Sequence, residues 1–403
     1  MKFGGTSVAD MERIARVGRL VAAEVAAGKR VAVVVSAMAG KTNELVAWTD
    51  AAGAAAPGLA PSDEEYDAVV ASGEQVTAGL LAMTLRHMGL NARSWMGWQI
   101  PIITDDAHGR ARIDDVPGEK LGAAMDTGEI AVIAGFQGVS RSGRIATLGR
   151  GGSDTSAVAI AAAVGGQCDI YTDVDGVYTT DPRIESKARK LARVSYEEML
   201  EMASLGAKVL QTRSVELAMN HRVRVQVLSS FEDKPGTLVV GEDEIVEQEV
   251  VSGIAYSRDE AKITLVGVQD QPGIAAAIFG PLAEANINVD MIVQNTSHDG
   301  TTDMTFTIPR TDLERALKVV KDNMKVPYKS IDTDKAVVKV SVIGVGMRSH
   351  AGVAQTMFKA LADKKINIHI ISTSEIKVSV LISEEYTELA LRALHTAYGL
   401  DAA

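Results

Sequence analysis

Hydrophobic positions in the first 240 residues alternate between short runs typical of buried strands and longer stretches with helical spacing. Four runs are apolar on both faces: VAVVVSAM (31–38), AVIAGFQG (131–138), CDIYTDV (168–174) and VRVQVLSS (223–230). Helical stretches such as AVAIAAAVG (157–165) lie between them. Strands buried on both faces and separated by helices are typical of parallel sheets, so we predict an α/β domain with a largely parallel sheet covered by helices.

The second half of the chain contains an internal repeat. The segment AKITLVGVQDQPGIAAAIFGPLAEANINVDMIVQNTS aligns with VVKVSVIGVGMRSHAGVAQTMFKALADKKINIHIISTSE. Each copy reads as a strand, a glycine-containing turn, a helix and a second strand, and a third strand (302–309 or 377–384) and a second helix follow. This order predicts two ferredoxin-like βαββαβ units.

The second copy ends after its second helix and lacks a fourth strand, which the strand-like segment VVSGIAYS (250–257) can supply. We therefore expect a discontinuous unit of residues 250–257 plus 335–403, packed as a pair with a unit of residues 261–334 inserted within it. The acidic segment KPGTLVVGEDEIVEQE (234–249) marks the boundary after the first domain, residues 1–240. AAGAAAPGLAP (51–61) reads as a surface connection within that domain.

The net charge of −11 over 403 residues narrows the classes of function. Broad binding to nucleic acid or to anionic membranes needs a positive face, so we expect neither and only a local phosphate site. The single cysteine, Cys168, excludes an intramolecular disulfide, fits a reducing cytosol and is interpreted as structural. No apolar run approaches the ~20 residues of a membrane span, and no signal-peptide pattern opens the chain, so we expect a cytoplasmic protein.

The N-terminal stretch KFGGTS places a lysine and two glycines ahead of a helix. Ser7 and Asp10 read as a capping box for that helix, so Gly4 and Gly5 lie in a tight loop at its N-terminus. Backbone N–H groups, the helix dipole and the Lys2 ammonium would all favour an anion such as phosphate. A plain N-terminal turn is the alternative interpretation.

A second glycine loop, TLGRGGSDTSA (147–157), also precedes a helix, with Ser153 or Asp154 as the expected cap. It matches neither the Walker A motif nor the dinucleotide fingerprint. Ligands of open α/β sheets gather outside the carboxyl ends of the strands, so two such loops favour a ligand site over plain structure.

Three further stretches carry candidate polar groups. In SAMAGKTNEL (36–45), Ser36 and Thr42 could bind a substrate or serve only as strand-end and cap residues. In ASGEQ (71–75), composition alone favours a solvated glutamate at position 74. YTDVDGVYTTDPR (171–183) reads as a loop with Asx turns or as a nucleoside site.

In this order, the motifs KFGGTSV, SAM-x-G-x-TNEL, SGE, GFQG, TLGRGGSDTSA, YTDVDGVYTTDPR and GAKVL (206–210) resemble those of aspartokinases in the amino-acid kinase superfamily. The repeat looks like the pair of ACT domains, small-molecule sensing modules, of that family. The resemblance covers essentially the whole chain. It implies a three-layer αβα kinase domain followed by two ACT domains.

The resemblance implies phosphoryl transfer from ATP with Mg²⁺ to the side-chain carboxylate of L-aspartate, giving 4-phospho-L-aspartate on the route to lysine, threonine and methionine. This carboxylate is ionised at neutral pH, so catalysis needs positioning and positive charge rather than a general base. In the family pattern Arg150 clamps the substrate α-carboxylate and Glu74 meets its ammonium. The implied residues are Lys2, Asp154 and Lys208 for catalysis, Ser36, Thr42, Glu74 and Arg150 for substrate, and Gly4, Gly5, Gly151, Thr172, Asp173, Tyr178 and Arg183 for ATP, with no side chain assigned as a metal ligand.

Paired ACT units in such kinases bind amino-acid end products, typically between two chains, so the resemblance also implies a homo-oligomer with lysine, threonine or both as effectors. The two-ACT layout favours joint inhibition. A purely structural dimerisation module is the alternative. The candidate effector residues are Asp270, Pro272 and Gly273 ahead of the helix at Ile274, and Asn288, Gln294 and Asn367 at strand starts and ends.

In this family an apolar first strand precedes the Lys-Gly-Gly loop, whereas Met1 directly precedes Lys2 here. We therefore expect that strand to be missing, an exposed sheet edge, and Lys2 on a frayed terminus. Two rival functions stay open: a catalytically silent amino-acid sensor, and a kinase of the same fold for another amino acid. The presence of the charged catalytic positions argues against the sensor.

Overall fold

The computed structural model describes residues 1–54, 63–206, 209–245, 249–296, 300–323 and 326–401. They form two compact units. The first comprises Met1–Val177, Lys190–Ser204 and Lys208–Glu247, and the second comprises Tyr178–Arg189, Leu205–Ala207 and Gln248–Ala403. Most of the connection predicted over residues 51–61 lies outside the described residues.

The first unit alternates strands and helices along the chain. Its elements are β1 (Lys2–Phe3), α1 (Met11–Ala26), β2 (Ala32–Val35), α2 (Lys41–Ala54), α3 (Asp63–Val70), α4 (Ser72–His87), β3 (Ala92–Trp95), β4 (Ile103–Thr104), β5 (Ile113–Asp115), α5 (Glu119–Asp126), β6 (Ile130–Ala134), β7 (Gln137–Ser140), β8 (Ile145–Thr147), α6 (Gly152–Ala163), β9 (Cys168–Thr172), β10 (Arg193–Ser195), α7 (Tyr196–Ser204), α8 (Thr212–His221), β11 (Val225–Ser229) and β12 (Thr237–Val240).

Eight of these strands form the main sheet, in the order β10-β12-β11-β9-β1-β2-β6-β3. Its neighbouring strands run parallel except for the antiparallel pair β11 and β12. The largely parallel sheet predicted from the doubly apolar strands is thus confirmed. A smaller sheet, β5-β4-β7-β8, belongs to the same unit.

Helices cover both faces of the main sheet. Val33 and Val35 of β2 belong to a buried core cluster with residues of α1 and α4, such as Ile14 and Leu81. Side chains alternate along a strand, so Val34 faces the opposite side, where α6 packs against β2. α6 is buried along most of its length, which explains its Ala-rich sequence.

Strand β1 lies in the middle of the main sheet. Lys2 pairs with Val34 of β2 on one side and with Ile170 of β9 on the other. The expectation of an exposed edge and a frayed Lys2 is therefore wrong, because two residues suffice to fill the gap between two longer parallel strands. Lys2 is buried, with 8% of its surface exposed.

The second unit carries the repeat. Its elements are β13 (Gly253–Ser257), β14 (Ala261–Gln269), α9 (Ile274–Glu284), β15 (Ile292–Thr296), β16 (Thr301–Ile308), α10 (Leu313–Asn323), β17 (Ser330–Asp334), β18 (Val337–Ile343), α11 (Val353–Asp363), β19 (Ile368–Thr373), β20 (Lys377–Ser383) and α12 (Thr387–Ala397).

Each copy of the repeat builds one four-stranded antiparallel sheet. The first has the order β15-β16-β14-β17 and the second the order β13-β18-β20-β19. β13, which precedes the first copy in the chain, pairs with β18 of the second copy. Each sheet has its own apolar core, formed against α9 and α10 in one case and α11 and α12 in the other.

Within the described residues, one helical stretch, Asp63–His87, is long and apolar enough by length and composition to cross a membrane. It contains α3 and α4, and half of its most apolar window is buried inside the protein. Core helices pass the same test, so this stretch is weak support for a membrane span.

Candidate active site

The carboxyl ends of β9, β1, β2 and β6 lie side by side at one edge of the main sheet. Directly after these strands, Ser36 N donates to Phe3 O at 3.1 Å and Gly135 N donates to Val35 O at 3.0 Å. The segments that follow adjacent strands therefore begin at the same level of the sheet. Ligands of parallel α/β sheets bind at this edge. The candidate residues that follow β1, β2 and β9 are thereby placed at one edge of the sheet.

A buried ion pair lies at this edge. Lys2 Nζ lies 2.6 Å from Asp154 Oδ1, and both residues are 8% exposed. Asp154 lies in the first turn of α6, where the helix dipole favours a negative charge. The prediction that Ser153 or Asp154 caps this helix is wrong: Gly151 occupies the cap position, with a left-handed φ of 72°.

The N-terminal glycine loop differs in detail from its prediction. A 3₁₀ turn, Gly5–Val8, follows β1, and α1 begins only at Met11. Asp10 is the N-cap and accepts a hydrogen bond from Arg13 N at 2.8 Å. The predicted capping box is wrong because the Ser7 hydroxyl instead bonds the Ser230 hydroxyl at 2.5 Å.

Two of the candidate glycines leave no room for a side chain. A Cβ on Gly5 would lie 2.9 Å from Ala37 O. A Cβ on Gly151 would lie 2.0 Å from Gln211 Cγ. Both loops therefore present bare backbone at the carboxyl edge, whereas the Cβ position of Gly4 lies 3.5 Å from Lys2 Nζ.

Glu74 lies in the first turn of α4 and is almost fully buried, with 3% of its surface exposed. Its Oε1 accepts a hydrogen bond from Ala37 N at 2.9 Å, next to Ser36. Among the described residues its buried Oε2 has no hydrogen-bond partner. Burial raises the pKa of this carboxyl to about 7. The prediction from composition that Glu74 is solvated is therefore wrong. Its unpartnered Oε2 can accept a hydrogen bond from a cationic ligand.

Three other substrate candidates lie on the same unit. Arg150 is exposed on the turn between Gly149 and Gly152, and within the described part of the chain its side chain has no hydrogen-bond or ion-pair partner. Ser36 directly follows β2, and Thr42 lies in the first turn of α2. Both are half-buried.

The nucleotide candidates divide between the units. Thr172 ends β9 and its hydroxyl donates to Asp173 Oδ1 at 3.2 Å, in the first unit. Tyr178 and Arg183 belong to the second unit, where the Arg183 guanidinium lies 2.8 Å from Asp181 and lowers the pKa of that carboxyl. Lys208 lies outside the described residues.

The effector candidates are all exposed residues of the second unit. Gly273 caps α9 with a φ of 89°, and Asp270 and Pro272 precede it. Gln294 is the central residue of β15, not its end, because a turn after α9 closed by Ile287 N and Leu282 O delays the strand. Asn288 lies between the turn at residues 285–286 and the start of β15, and Asn367 lies directly before β19.

Two charged residues beside the TLGRGGSD loop were not predicted from the sequence pattern. Asp67 of α3 is fully buried and Arg213 of α8 donates to backbone carbonyls of that region. Asp67 lies in the acidic stretch DEEYD, which looks like a solvated helix start, so the pattern gave no signal for its burial. The described residues contain no group of three or more His, Cys, Asp or Glu side chains that could hold a metal ion.

Comparison with family models identifies the class of protein. The model of the amino acid kinase family matches residues 1–229, and models of the ACT domain match residues 262–323 and 340–398. The chain belongs to the amino acid kinase family.

Relatives specify the activity. An aspartate kinase of Pseudomonas fluorescens (strain SBW25) is 54% identical over 404 residues, covering 100% of this chain and 97% of that protein. An aspartokinase of Pseudomonas aeruginosa is 53% identical over 411 residues with the same coverage. The enzyme is an aspartate kinase, a phosphotransferase with a carboxyl group as acceptor and with ACT domains typical of allosteric enzymes of amino-acid biosynthesis.

Two solved structures of E. coli aspartokinase III have the same architecture. The complex with aspartate and ADP (R-state) has a TM-score of 0.80 and 28% identity, covering 98% of both chains. The complex with lysine and aspartate (T-state) has a TM-score of 0.77 and 29% identity, covering 99% of this chain and 98% of that one.

Proposed function

We propose that this aspartate kinase transfers the γ-phosphoryl group of ATP to the side-chain carboxylate of L-aspartate, giving 4-phospho-L-aspartate for the synthesis of lysine, threonine and methionine. The observation that carries the proposal is the buried Lys2–Asp154 pair at the carboxyl edge of the central strand. An ammonium held there can stabilise the charge of a transferring phosphoryl group.

In this proposal the substrate is held by two opposite charges. The exposed Arg150 guanidinium binds the α-carboxylate in a bidentate manner, and the free Oε2 of Glu74 binds the α-ammonium. Ser36 and Thr42 supply hydroxyl groups to the same pocket. The reacting carboxylate then needs no general base, because it is ionised at neutral pH.

The nucleotide is assigned to the glycine loops and to the segment after β9. Gly4, Gly5 and Gly151 present backbone to the phosphates, while Thr172, Asp173, Tyr178 and Arg183 hold the nucleoside, and Lys208 adds a second ammonium. Mg²⁺, when bound, neutralises the phosphates. When Mg²⁺ arrives bound to ATP, it needs few protein ligands.

Regulation is assigned to the second unit. We infer that lysine, threonine or both inhibit the enzyme at the ACT domains, through Asp270, Pro272, Gly273, Asn288, Gln294 and Asn367. The solved complex of E. coli aspartokinase III with lysine supports an amino-acid effector. We further propose a kinase domain of residues 1–240, ACT domains of residues 261–334 and 250–257 plus 335–403, assembly as a homo-oligomer, and a cytoplasmic location without nucleic-acid or membrane partners.

Trapping of the product with hydroxylamine tests this function. The purified chain is incubated with MgATP and either L-aspartate or L-glutamate, with and without lysine plus threonine. Aspartyl hydroxamate that disappears when both amino acids are added supports the kinase and its feedback inhibition. Glutamyl hydroxamate instead would indicate a kinase for another amino acid, and no hydroxamate from either substrate would favour the silent sensor.

A further inference from the structure

A buried carboxylate outside the proposed substrate contacts joins two backbone segments. Asp67 of α3 accepts hydrogen bonds from Gly109 N at 3.0 Å and from Thr147 N at 2.9 Å. The Thr147 hydroxyl also donates to it, and His108 Nδ1 lies 2.8 Å away. Asp67 itself is fully buried. One side chain thus fixes residues 108–109 and residue 147 together.

The turn that carries Arg150 starts from this anchor. Thr147 ends β8, and three residues later Arg150 lies in a turn closed by a 3.0 Å hydrogen bond from Gly152 N to Gly149 O. A Cβ on Gly149 would lie 3.2 Å from Gly109 O, so the turn rests directly on the second segment that Asp67 holds.

Arg213 holds the same two segments through other atoms. Its Nη1 donates to Leu148 O at 2.5 Å and its Nη2 to Ala111 O at 2.9 Å. The segments also bond each other, through Ala111 N and Thr147 O at 2.9 Å. Burial lowers the pKa of the Arg213 guanidinium, because removing the charged form from water disfavours it.

The backbone around Arg150 is held in place, while the Arg150 guanidinium is available to bind a ligand. The segments before and beneath Arg150 are held by charged side chains, whereas the Arg150 side chain itself has no partner in the described ranges. A binding group that is fixed before the ligand arrives lowers the entropic cost of binding. The neighbouring residues that hold the binding group determine how accurately it is positioned.

We propose that Asp67 and Arg213 are positioning residues for aspartate: they hold the Gly149–Gly152 turn so that Arg150 meets the substrate α-carboxylate. The inference rests on the role proposed for Arg150. Asp67 is not among the proposed substrate contacts, and it acts through Thr147 and Gly109.

Steady-state kinetics of the full chain separate positioning from a general loss of stability. The variants are Asp67→Asn and Thr147→Val, with Thr147→Ser retaining the hydroxyl and Asp63→Asn as the control, an exposed aspartate on the same helix. Asp67→Asn and Thr147→Val are expected to raise KM for aspartate about tenfold, with KM for MgATP changed less than about twofold. Thr147→Ser and Asp63→Asn should match the parent. A lower melting temperature with both KM values unchanged would overturn the inference.

Hydrogen exchange decides the inference independently of catalysis. The amides of residues 147–152 are expected to exchange at least about tenfold faster in Asp67→Asn and in Thr147→Val than in the parent, with α1 unchanged. If the parent forms no aspartyl hydroxamate, the proposed function fails and the exchange result still stands. Unchanged exchange in both variants would contradict positioning even if the parent is an active kinase.

Discussion

The Lys2 ammonium lies 2.6 Å from the Asp154 carboxylate, and the two side chains are only 10% and 11% exposed. Lys2 lies on the central strand β1, and Asp154 lies in the first turn of α6. The pair therefore connects the carboxyl edge of the main sheet to a helix N-terminus. Burying two charges costs desolvation energy that their attraction barely repays. A buried pair at a ligand-binding edge is therefore better explained by the binding of a charged group than by folding stability.

Replacing Lys2 tests its proposed role in phosphoryl transfer. Lys2→Met removes the ammonium and leaves Asp154 without its cation, so kcat is expected to fall by about 10²–10³-fold, as for the loss of one preorganised donor. Lys29→Met, at an exposed lysine, is the control and should keep kcat within about twofold. A Lys2→Met enzyme that keeps at least half of the parent kcat would exclude Lys2 from the catalytic step.

The pKa of Glu74 predicts how stability depends on pH. Burial raises the folded-state pKa from 4.5 to about 7, so the folded protein holds this proton more tightly than the unfolded chain. The buried charge does not lower the free energy of unfolding below pH 4.5. The loss of stability grows as the pH rises and reaches its full size above pH 7. Glu74→Gln carries no charge and escapes this penalty.

Urea unfolding of the parent and of Glu74→Gln at pH 5 and pH 8 measures this effect. The unfolding free energy of Glu74→Gln relative to the parent is expected to be higher at pH 8 than at pH 5 by about 2–3 kcal/mol. A difference that does not change between the two pH values would show that Glu74 titrates normally.

Gly151 is expected to tolerate no side chain. Its φ is 72°, and a Cβ would lie 2.0 Å from Gln211 Cγ. Gly28 has a φ of 80° with nothing within 4 Å of its Cβ position, so Gly28→Ala carries the backbone strain alone. Both variants should lose about 1–2 kcal/mol of stability to the left-handed conformation, and Gly151→Ala should lose more. Equal melting temperatures for the two variants would mean that Gln211 moves away freely.

Cys168 is expected to be inert in the folded enzyme. The thiol is 2% exposed on β9, and burial raises its pKa to about 12. A thiol-specific reagent at pH 8 should therefore label less than about a tenth of the chain before unfolding and all of it in denaturant. Rapid labelling of the native enzyme, with activity retained, would contradict the structural role.

Much of the architecture could be predicted because buried strands have apolar patterns that are visible in the sequence. VAVVV is apolar on both faces, as central parallel strands are, and the repeat of the second half identifies two similar units without any three-dimensional information. β1 could not be predicted this way, because its two residues depend on the flanking strands β2 and β9 for their pairing partners.

The site was less accessible to sequence reasoning because its contacts join distant residues. Lys2 of β1 pairs with Asp154 of α6, which is far away in the sequence, and Glu74 accepts its hydrogen bond from Ala37 N, 37 residues earlier in the chain. Local sequence also misplaced the caps of α1 and α6, since Ser7 finds its partner at Ser230 and Gly151 takes the left-handed position.

The most direct test of phosphoryl transfer to the side-chain carboxylate follows the oxygen atoms. L-Aspartate labelled with ¹⁸O only in its side-chain carboxylate is incubated with the enzyme, MgATP and hydroxylamine, and the released phosphate is analysed by mass spectrometry. A side-chain oxygen attacks the γ-phosphorus, ADP leaves, and hydroxylamine then displaces phosphate at the carbonyl carbon. If the side-chain carboxylate is the nucleophile, the released phosphate carries one ¹⁸O for each aspartyl hydroxamate formed. Unlabelled phosphate would rule out this transfer and indicate attack by water or by the α-carboxylate.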